Sequence, residues 1–177
     1  MCDSPAFLSH RGQRGEAGLR SDLAALAIRV EEQEHAAVFT VAESGALHDR
    51  MPGAHTKNLF LKDEGGAFWL VTVSAQARVD LKALPHVIGS RRVSFAKPDD
   101  MVRLLGISPG SVTPLAMINA APGSVTVVLE EGLAAEPRVN VHPLRNTATI
   151  GLAGTDILRL LAHWGHVPVV AAIPVHS

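Results

Sequence analysis

Two short stretches combine residue types and spacings that can do chemistry. The first is His55-Thr56-Lys57-Asn58-Leu59-Phe60-Leu61-Lys62-Asp63. Its alternation reads as a strand, with Lys57, Leu59 and Leu61 on one side and Asn58, Phe60 and Lys62 on the other. An ammonium at the head of an apolar column is costly to bury unless an anion or several acceptors meet it. Lys57 is therefore either an amine snorkelling from a strand end or a cation facing a pocket. The second stretch is Gly110-Ser111-Val112-Thr113-Pro114. Its glycine lets main chain come close to a ligand, and its proline stiffens the loop. Successive N–H groups in such a loop can polarise a carbonyl and hold an oxyanion; the plain alternative is a surface turn.

Two further strings carry less. Gly106-Ile107-Ser108-Pro109-Gly110 matches the G-x-S-x-G nucleophile elbow, but that motif needs a strand before the serine and a helix after it. Here a helix precedes and more loop follows. His163 and His166 flank a helix end at Gly165, so their rings should diverge. His35, His55 and His142 are far apart in sequence, with no carboxylate at ligand spacing. No metal and no other cofactor is expected.

The elements that must position these residues follow from turn and cap chemistry. Residues 1–20 are rich in Gly, Ser, Arg and Gln and read as a poorly ordered lead-in, leaving 21–177 as one domain. Ser21-Asp22 offers an N-cap for a short helix bearing Leu23, Leu26 and Ala27. A strand is expected from Ile28 toward His35, and a helix from Val41 to before Pro52-Gly53. The Lys57 strand turns at Asp63-Glu64-Gly65-Gly66 and returns through Ala67–Val73 as a hairpin. Asp80 caps a helix through Ile88 with Gly89 as its left-handed stop. Val93–Phe95 is a short strand, and Pro98 starts a helix that Gly106 closes. Leu115–Ile118 and Val125–Leu129 are apolar runs of strand character. Val139–His142 and Thr147–Ile150 flank a kink at Pro143. Thr155 caps a last helix through Trp164, and Val167–Val170 forms a strand at an edge, where its proline is tolerated. Strands and helices mix without strict βαβ alternation, so the fold class is α+β, with a mixed, curved, barrel-like sheet flanked by helices.

Composition narrows the function classes. The 177 residues carry a formal net charge of −1, which argues against a protein that coats DNA non-specifically. A smaller basic footprint remains open, because Lys57, Lys62, Arg78, Lys82, Arg91, Arg92, Lys97 and Arg103 all fall mid-chain. Cys2 is the only cysteine, so neither an intrachain disulfide nor a cysteine-based zinc site can form. No apolar run has the length of a membrane span and no leader pattern opens the chain; a cytoplasmic protein is expected.

Taken together the motifs resemble the YbaK/ProX family of aminoacyl-tRNA editing proteins. That family includes the insertion domain of bacterial prolyl-tRNA synthetases. The resemblance runs through Glu34-His35, Val38-Phe39-Thr40-Val41, Pro52-Gly53-x-x-Thr56-Lys57-Asn58-Leu59-Phe60-Leu61-Lys62-Asp63, and Leu104-Leu105-Gly106. It continues through Pro109–Pro114, Val125–Leu129 and His142-Pro143-Leu144-x-Asn146-Thr147-Ala148-Thr149. The free-standing alanyl-tRNAPro deacylases are the branch it is most similar to. The resemblance implies an editing-domain fold, with Lys57 as the key active-site residue and Asn58, Lys62 and His142 binding or positioning the acceptor end. It also maps the family's GxxxP loop onto Gly110 to Pro114, with Phe39, Ser111, Val112, Thr113 and Pro114 at the substrate. The implied partners are the acceptor end of mischarged tRNAPro and, as a candidate, prolyl-tRNA synthetase. Two departures stand out: Ala36-Ala37 replaces an expected proline, and Ala120 follows Asn119 where aspartate is usual.

The reaction the resemblance implies has a clear energetic logic. A synthetase pocket sized for proline refuses alanine by only about 1–3 kcal/mol, since missing methylenes are worth no more. A second, smaller site can admit alanine, exclude the pyrrolidine ring and hydrolyse the error. A deacylase for cysteine or serine on tRNA, and a catalytically silent tRNA-binding module, are the alternatives.

Overall fold

The computed structural model describes residues 14–37, 45 and 50–177. Elements in chain order are α1 (Glu16–Ala25), β1 (Glu31–Glu34), β2 (Ala54–Asp63), β3 (Phe68–Ser74), α2 (Leu84–Ile88), β4 (Val93–Phe95) and α3 (Pro98–Leu105). Two 3-10 turns follow, Pro109–Ser111 and Pro114–Ile118. The chain then forms β5 (Val125–Glu130), α4 (Glu131–Ala134), β6 (Val139–Val141), β7 (Ala148–Leu152), α5 (Gly154–His163) and β8 (Val169–Ala171). No helix among the described residues is long and apolar enough to cross a membrane.

The strands form one mixed sheet in the order β1-β7-β6-β2-β3-β5-β8, with β4 also on β2. β2 runs parallel to β6, and β3, β5 and β8 are parallel, while the remaining pairs are antiparallel. The sheet is mixed and flanked by helices as expected, but it does not close into a barrel. Its end strand β1 reads Glu-Glu-Gln-Glu, all exposed, and such a row of like charges resists further strand pairing.

The β2–β3 hairpin is the spine. Its register sets Lys57 against Val73, Asn58 against Thr72 and Leu61 against Trp69. The turn is fixed by Asp63, a buried carboxylate. It accepts from the Gly65, Ala67 and Arg91 amides and from the Trp69 indole N–H. Burial alone would raise the Asp63 pKa, yet these donors hold it below the ordinary carboxylate range.

The alternation of β2 separates two cores. Phe60 joins Leu70, Leu115, Val127, Ile150, Leu160 and others in the larger one, beneath α1, α5 and the second 3-10 turn. Leu61 joins Trp69, Val71, Val73, Leu84 and Ile88 in the smaller one, under α2.

Several boundaries differ from the sequence reading. α1 begins at Glu16, inside the stretch read as lead-in, and Leu19 is fully buried. Asp22 caps nothing; it binds Arg14 and the Trp164 indole instead. The helix expected from Val41 falls largely outside the described residues. Asp80 accepts from the Lys82 and Ala83 amides in a turn ahead of α2 rather than capping it. Leu115–Ile118 is a buried 3-10 turn, capped by Thr113 accepting from the Leu115 amide. α5 starts at Gly154 without a side-chain cap. β8 is an edge strand, as its proline implied.

Candidate functional site

The site lies where β2 loses its neighbours on one side. β3 pairs β2 from Thr56 to Lys62. On the opposite side β6 covers only Ala54 and His55, and β4 only Leu61 to Asp63. The stretch from Lys57 to Leu59 is thus bordered by a gap between the two. Such splits are favourable ligand positions, because backbone and side chains on both sides face an opening.

Asn58 ties this stretch to the glycine loop. Its Nδ2 donates to the Val112 carbonyl at 3.0 Å, and its Oδ1 accepts from the Thr72 hydroxyl at 2.6 Å. The hydroxyl orients the amide, so the bond to the loop is held from behind. Within the loop Ser111, Thr113 and Pro114 are buried and Gly110 is exposed. The Ser111 N–H is used by the Ser108 carbonyl at 3.0 Å, whereas the Gly110 and Val112 N–H groups meet no acceptor among the described residues. Two main-chain donors are therefore available, one at exposed Gly110 and one at half-buried Val112, in a loop whose far end is anchored in the core.

A third segment closes the group. A Cβ at Gly110 would stand 3.3 Å from Asn146 Nδ2, so the loop packs against the turn that follows β6. That turn begins at His142, two residues beyond the Asn140 that pairs with His55. The pairing of β6 with β2 ends at that residue, so His142 lies beyond it, at the side of β2 that β6 no longer covers. The His142 Nδ1 lies 2.9 Å from the Ala148 carbonyl. A carbonyl only accepts, so Nδ1 carries the proton and Nε2 of the neutral ring has a free lone pair. Burial depresses the His142 pKa, opposed by the bond to Ala148 and aided by nearby His35. The His35 ring is 6.3 Å away and bonds the Thr149 hydroxyl through Nε2 at 2.9 Å.

Leu144 at the centre of the turn has φ +70°, a left-handed conformation that costs a non-glycine residue roughly 1–3 kcal/mol. Arg145 holds the turn from outside, donating to Glu16 at 2.7 Å, to the Thr147 hydroxyl at 2.9 Å and to Glu34 at 3.1 Å.

Lys57 itself is half-buried and leaves β2 on the face of Leu59 and Val73, opposite Asn58. No carboxylate pairs with its amine among the described residues. The strand residue that meets the loop is therefore Asn58, with Lys57 beside it at the gap. Lys62 is not gathered here: it sits at the far end of β2, its Nζ 5.3 Å from the Phe68 ring centre. Phe39 lies outside the described residues.

Ser108 follows a helix and precedes a 3-10 turn, and its hydroxyl meets only Ser111 at 3.4 Å, so no nucleophile elbow forms. His163 turns toward Asp22 while His166 is buried on the Met117 carbonyl, and the two rings diverge. Asn119 and Ala120 are buried, with the Asn119 amide holding the α3 carbonyl of Leu105 at 2.8 Å. Sequence reasoning misses Thr72, Asn146, His35 and Arg145 as site residues. Only Thr72 has a local signal, as the cross-strand partner of Asn58 in the hairpin register.

The mixed α+β sheet carries a main-chain donor loop, a neutral histidine and an amine without a carboxylate partner on neighbouring segments. The chain belongs to the aminoacyl-tRNA editing domain family, whose model matches residues 35–160. It is 38% identical over 164 residues to the bovine (Bos taurus) prolyl-tRNA synthetase associated domain-containing protein 1, covering 90% of this chain and 95% of that one. It is 33% identical over 129 residues to the prolyl-tRNA editing protein ProX of Acetoanaerobium sticklandii, covering 72% and 79%. The fold matches the crystal structure of a putative trans-editing enzyme for prolyl tRNA synthetase with a TM-score of 0.65 at 23% identity, over 91% and 97% of the two chains.

Proposed function

We propose that this protein is a trans-editing aminoacyl-tRNA deacylase that removes alanine misattached to tRNAPro. The observation that carries the reading is that the Gly110–Pro114 loop meets both Asn58 of β2, the neighbour of Lys57, and Asn146 of the His142–Asn146 turn. Binding alone needs no rigid main-chain donors; acceleration of ester hydrolysis does. In this reading the Gly110 and Val112 N–H groups polarise the ester carbonyl and hold the oxyanion. Lys57, on the other face of the strand, takes a terminal phosphate as a point charge.

Water adds to the carbonyl carbon, oriented by the ribose 2′-hydroxyl of the terminal adenosine, and His142 Nε2 accepts a proton from this pair. The tetrahedral intermediate then expels the ribose 3′-oxygen, which recovers the proton. Free alanine and intact tRNA leave. Asn58 and the buried half of the loop set the cavity size, excluding the proline ring as the second sieve. The prolyl-tRNA wording in the names of the matched relatives supports the proline system; we take the synthetase as a partner and the cytoplasm as the place of action.

A panel of tRNAPro charged with alanine, cysteine, serine or proline tests the assignment. Alanine should be released fastest and proline should survive. Preference for cysteine or serine would replace the substrate, and hydrolysis of none would leave a tRNA-binding module.

A further inference from the structure

We infer that the surface around Phe95 is a second RNA subsite, which binds the nucleotides upstream of the aminoacylated end. The inference rests on the tRNA reading of the site just described, and on observations away from it. Phe95 is 63% exposed, an unusual position for a phenylalanine in a strand. The β2–β4 register places it opposite Leu61, so it shares a face with Leu59 and Lys57 along the open edge of β2. The four residue steps from Lys57 to Leu61 span roughly 13 Å. At about 3.4 Å per nucleotide of stacked strand, that is about four nucleotides. This is the length of the unpaired 3′ end of a tRNA.

The charge around Phe95 fits the same ligand. Arg91, Arg92 and Lys97 flank β4 and are exposed, and none has a carboxylate partner among the described residues. Lys62 and Arg103 reach the neighbouring Phe68 ring from the other face. Arg103 is partly neutralised by Asp100 at 2.8 Å; the other acids nearby in sequence are Asp99, Glu64 and Asp63, the last buried in the hairpin turn with its carboxylate taken by the Gly65, Ala67 and Arg91 amides and the Trp69 indole. Of the eight mid-chain cations, Arg91, Arg92 and Lys97 thus flank the strand that carries the exposed ring, whereas Lys62 and Arg103 lie on its other face and Arg78 and Lys82 at the turn leading to α2. Aromatic platforms with flanking cations bind single-stranded nucleic acid, because every base offers a π-face and every nucleotide a phosphate. A second copy pairing through the free edge of β4 would bring these cations against their own images, so an anionic partner fits and a copy does not.

The test compares wild type with Phe95→Ala and with Arg91→Ala/Arg92→Ala. Their side chains are exposed, so Tm should not move. Affinity for an uncharged acceptor-stem hairpin, read by fluorescence anisotropy, should fall roughly tenfold for Phe95→Ala. The double variant should lower the slope of log affinity against log salt by about 0.7–0.9 for each phosphate it no longer neutralises. Deacylation of a charged CCA trinucleotide, too short to reach Phe95, should stay unchanged. Wild-type hairpin affinity and salt slope in both variants would overturn the subsite, as would a dimer that Phe95→Ala dissolves. If hairpin binding depends on Phe95 while no charged tRNA is hydrolysed, the deacylase reading fails and the subsite stands.

Discussion

The two segments that flank the open stretch of β2 are held by different forces. The Gly110–Pro114 loop is anchored by burial: Ser111, Thr113 and Pro114 are buried, and Leu115, Ala116 and Met117 beyond them are fully enclosed. The His142–Asn146 turn is held by charge and local strain. Leu144 is left-handed, and Arg145 clamps the turn to Glu16 of α1 and Glu34 of β1. Burial is insensitive to salt, whereas partly exposed ion pairs weaken as salt rises. One wall of the site is thus fixed by the core and the other is tunable from a distant helix.

The largest effect should come from removing what stands between the walls. Lys57→Ala is expected to lower kcat/KM on charged tRNA by at least about a hundredfold, the scale of losing one positioned electrostatic group. The fold should be unaffected, since no ion pair of this amine is broken; full activity in this variant would refute the role of Lys57. Asn58→Ala attacks the buried wall. It leaves the Val112 carbonyl and the Thr72 hydroxyl without their partner, which costs about 1–3 kcal/mol of stability. Thermal unfolding should report that cost, and kcat should fall while the salt dependence stays that of wild type. Thr72→Val, which only frees the amide to swing, should lose less. An Asn58 variant with wild-type kcat would separate the loop from the chemistry.

Arg145→Ala attacks the charged wall and should act through the turn alone. The expected loss is several-fold in kcat at low salt, with little change in KM. Raising salt should bring wild type down toward the variant and leave the variant flat. If both enzymes respond to salt alike, the ion clamp does not position the turn. Arg145→Lys keeps the charge but not the fork that spans Glu16, Glu34 and Thr147, and should recover only part of the loss.

The buried wall is more legible in the sequence than the charged one. The hairpin, the stop of α3 at Gly106 and the glycine loop are written in local turn and cap chemistry, which tertiary contacts rarely override. Leu115–Ile118 looks strand-like in sequence because a continuous apolar run signals burial rather than period. Asp22 and Asp80 look like caps, but their carboxylates are taken by Arg14 and Trp164 and by a tight turn. The Arg145 clamp joins residues 129 positions apart, and no local pattern announces such a pairing. Lys57 and the loop are visible as strings; that Asn58 is the residue meeting the loop, from the opposite face, emerges only from the register.

The smallest effect is that of pH on the charged wall. His142 is held neutral by burial, so its folded pKa lies below the ordinary 6.5. Just below pH 6.5 the unfolded chain therefore binds more protons at this site than the folded chain. Stability then rises with pH across that window and is level above it. Acidification must either protonate a buried ring or unfold the turn, and protonation also removes the Nε2 lone pair that the proposed step uses. Stability and kcat should therefore both decline as pH falls below 6.5, with no matching decline on the alkaline side from this group. His142→Asn keeps a donor for the Ala148 carbonyl without a titrating ring. Its Tm should vary less with pH over the same window, at a lower kcat throughout. A variant whose Tm follows the wild-type pH curve would show that His142 is not the source of the acid sensitivity.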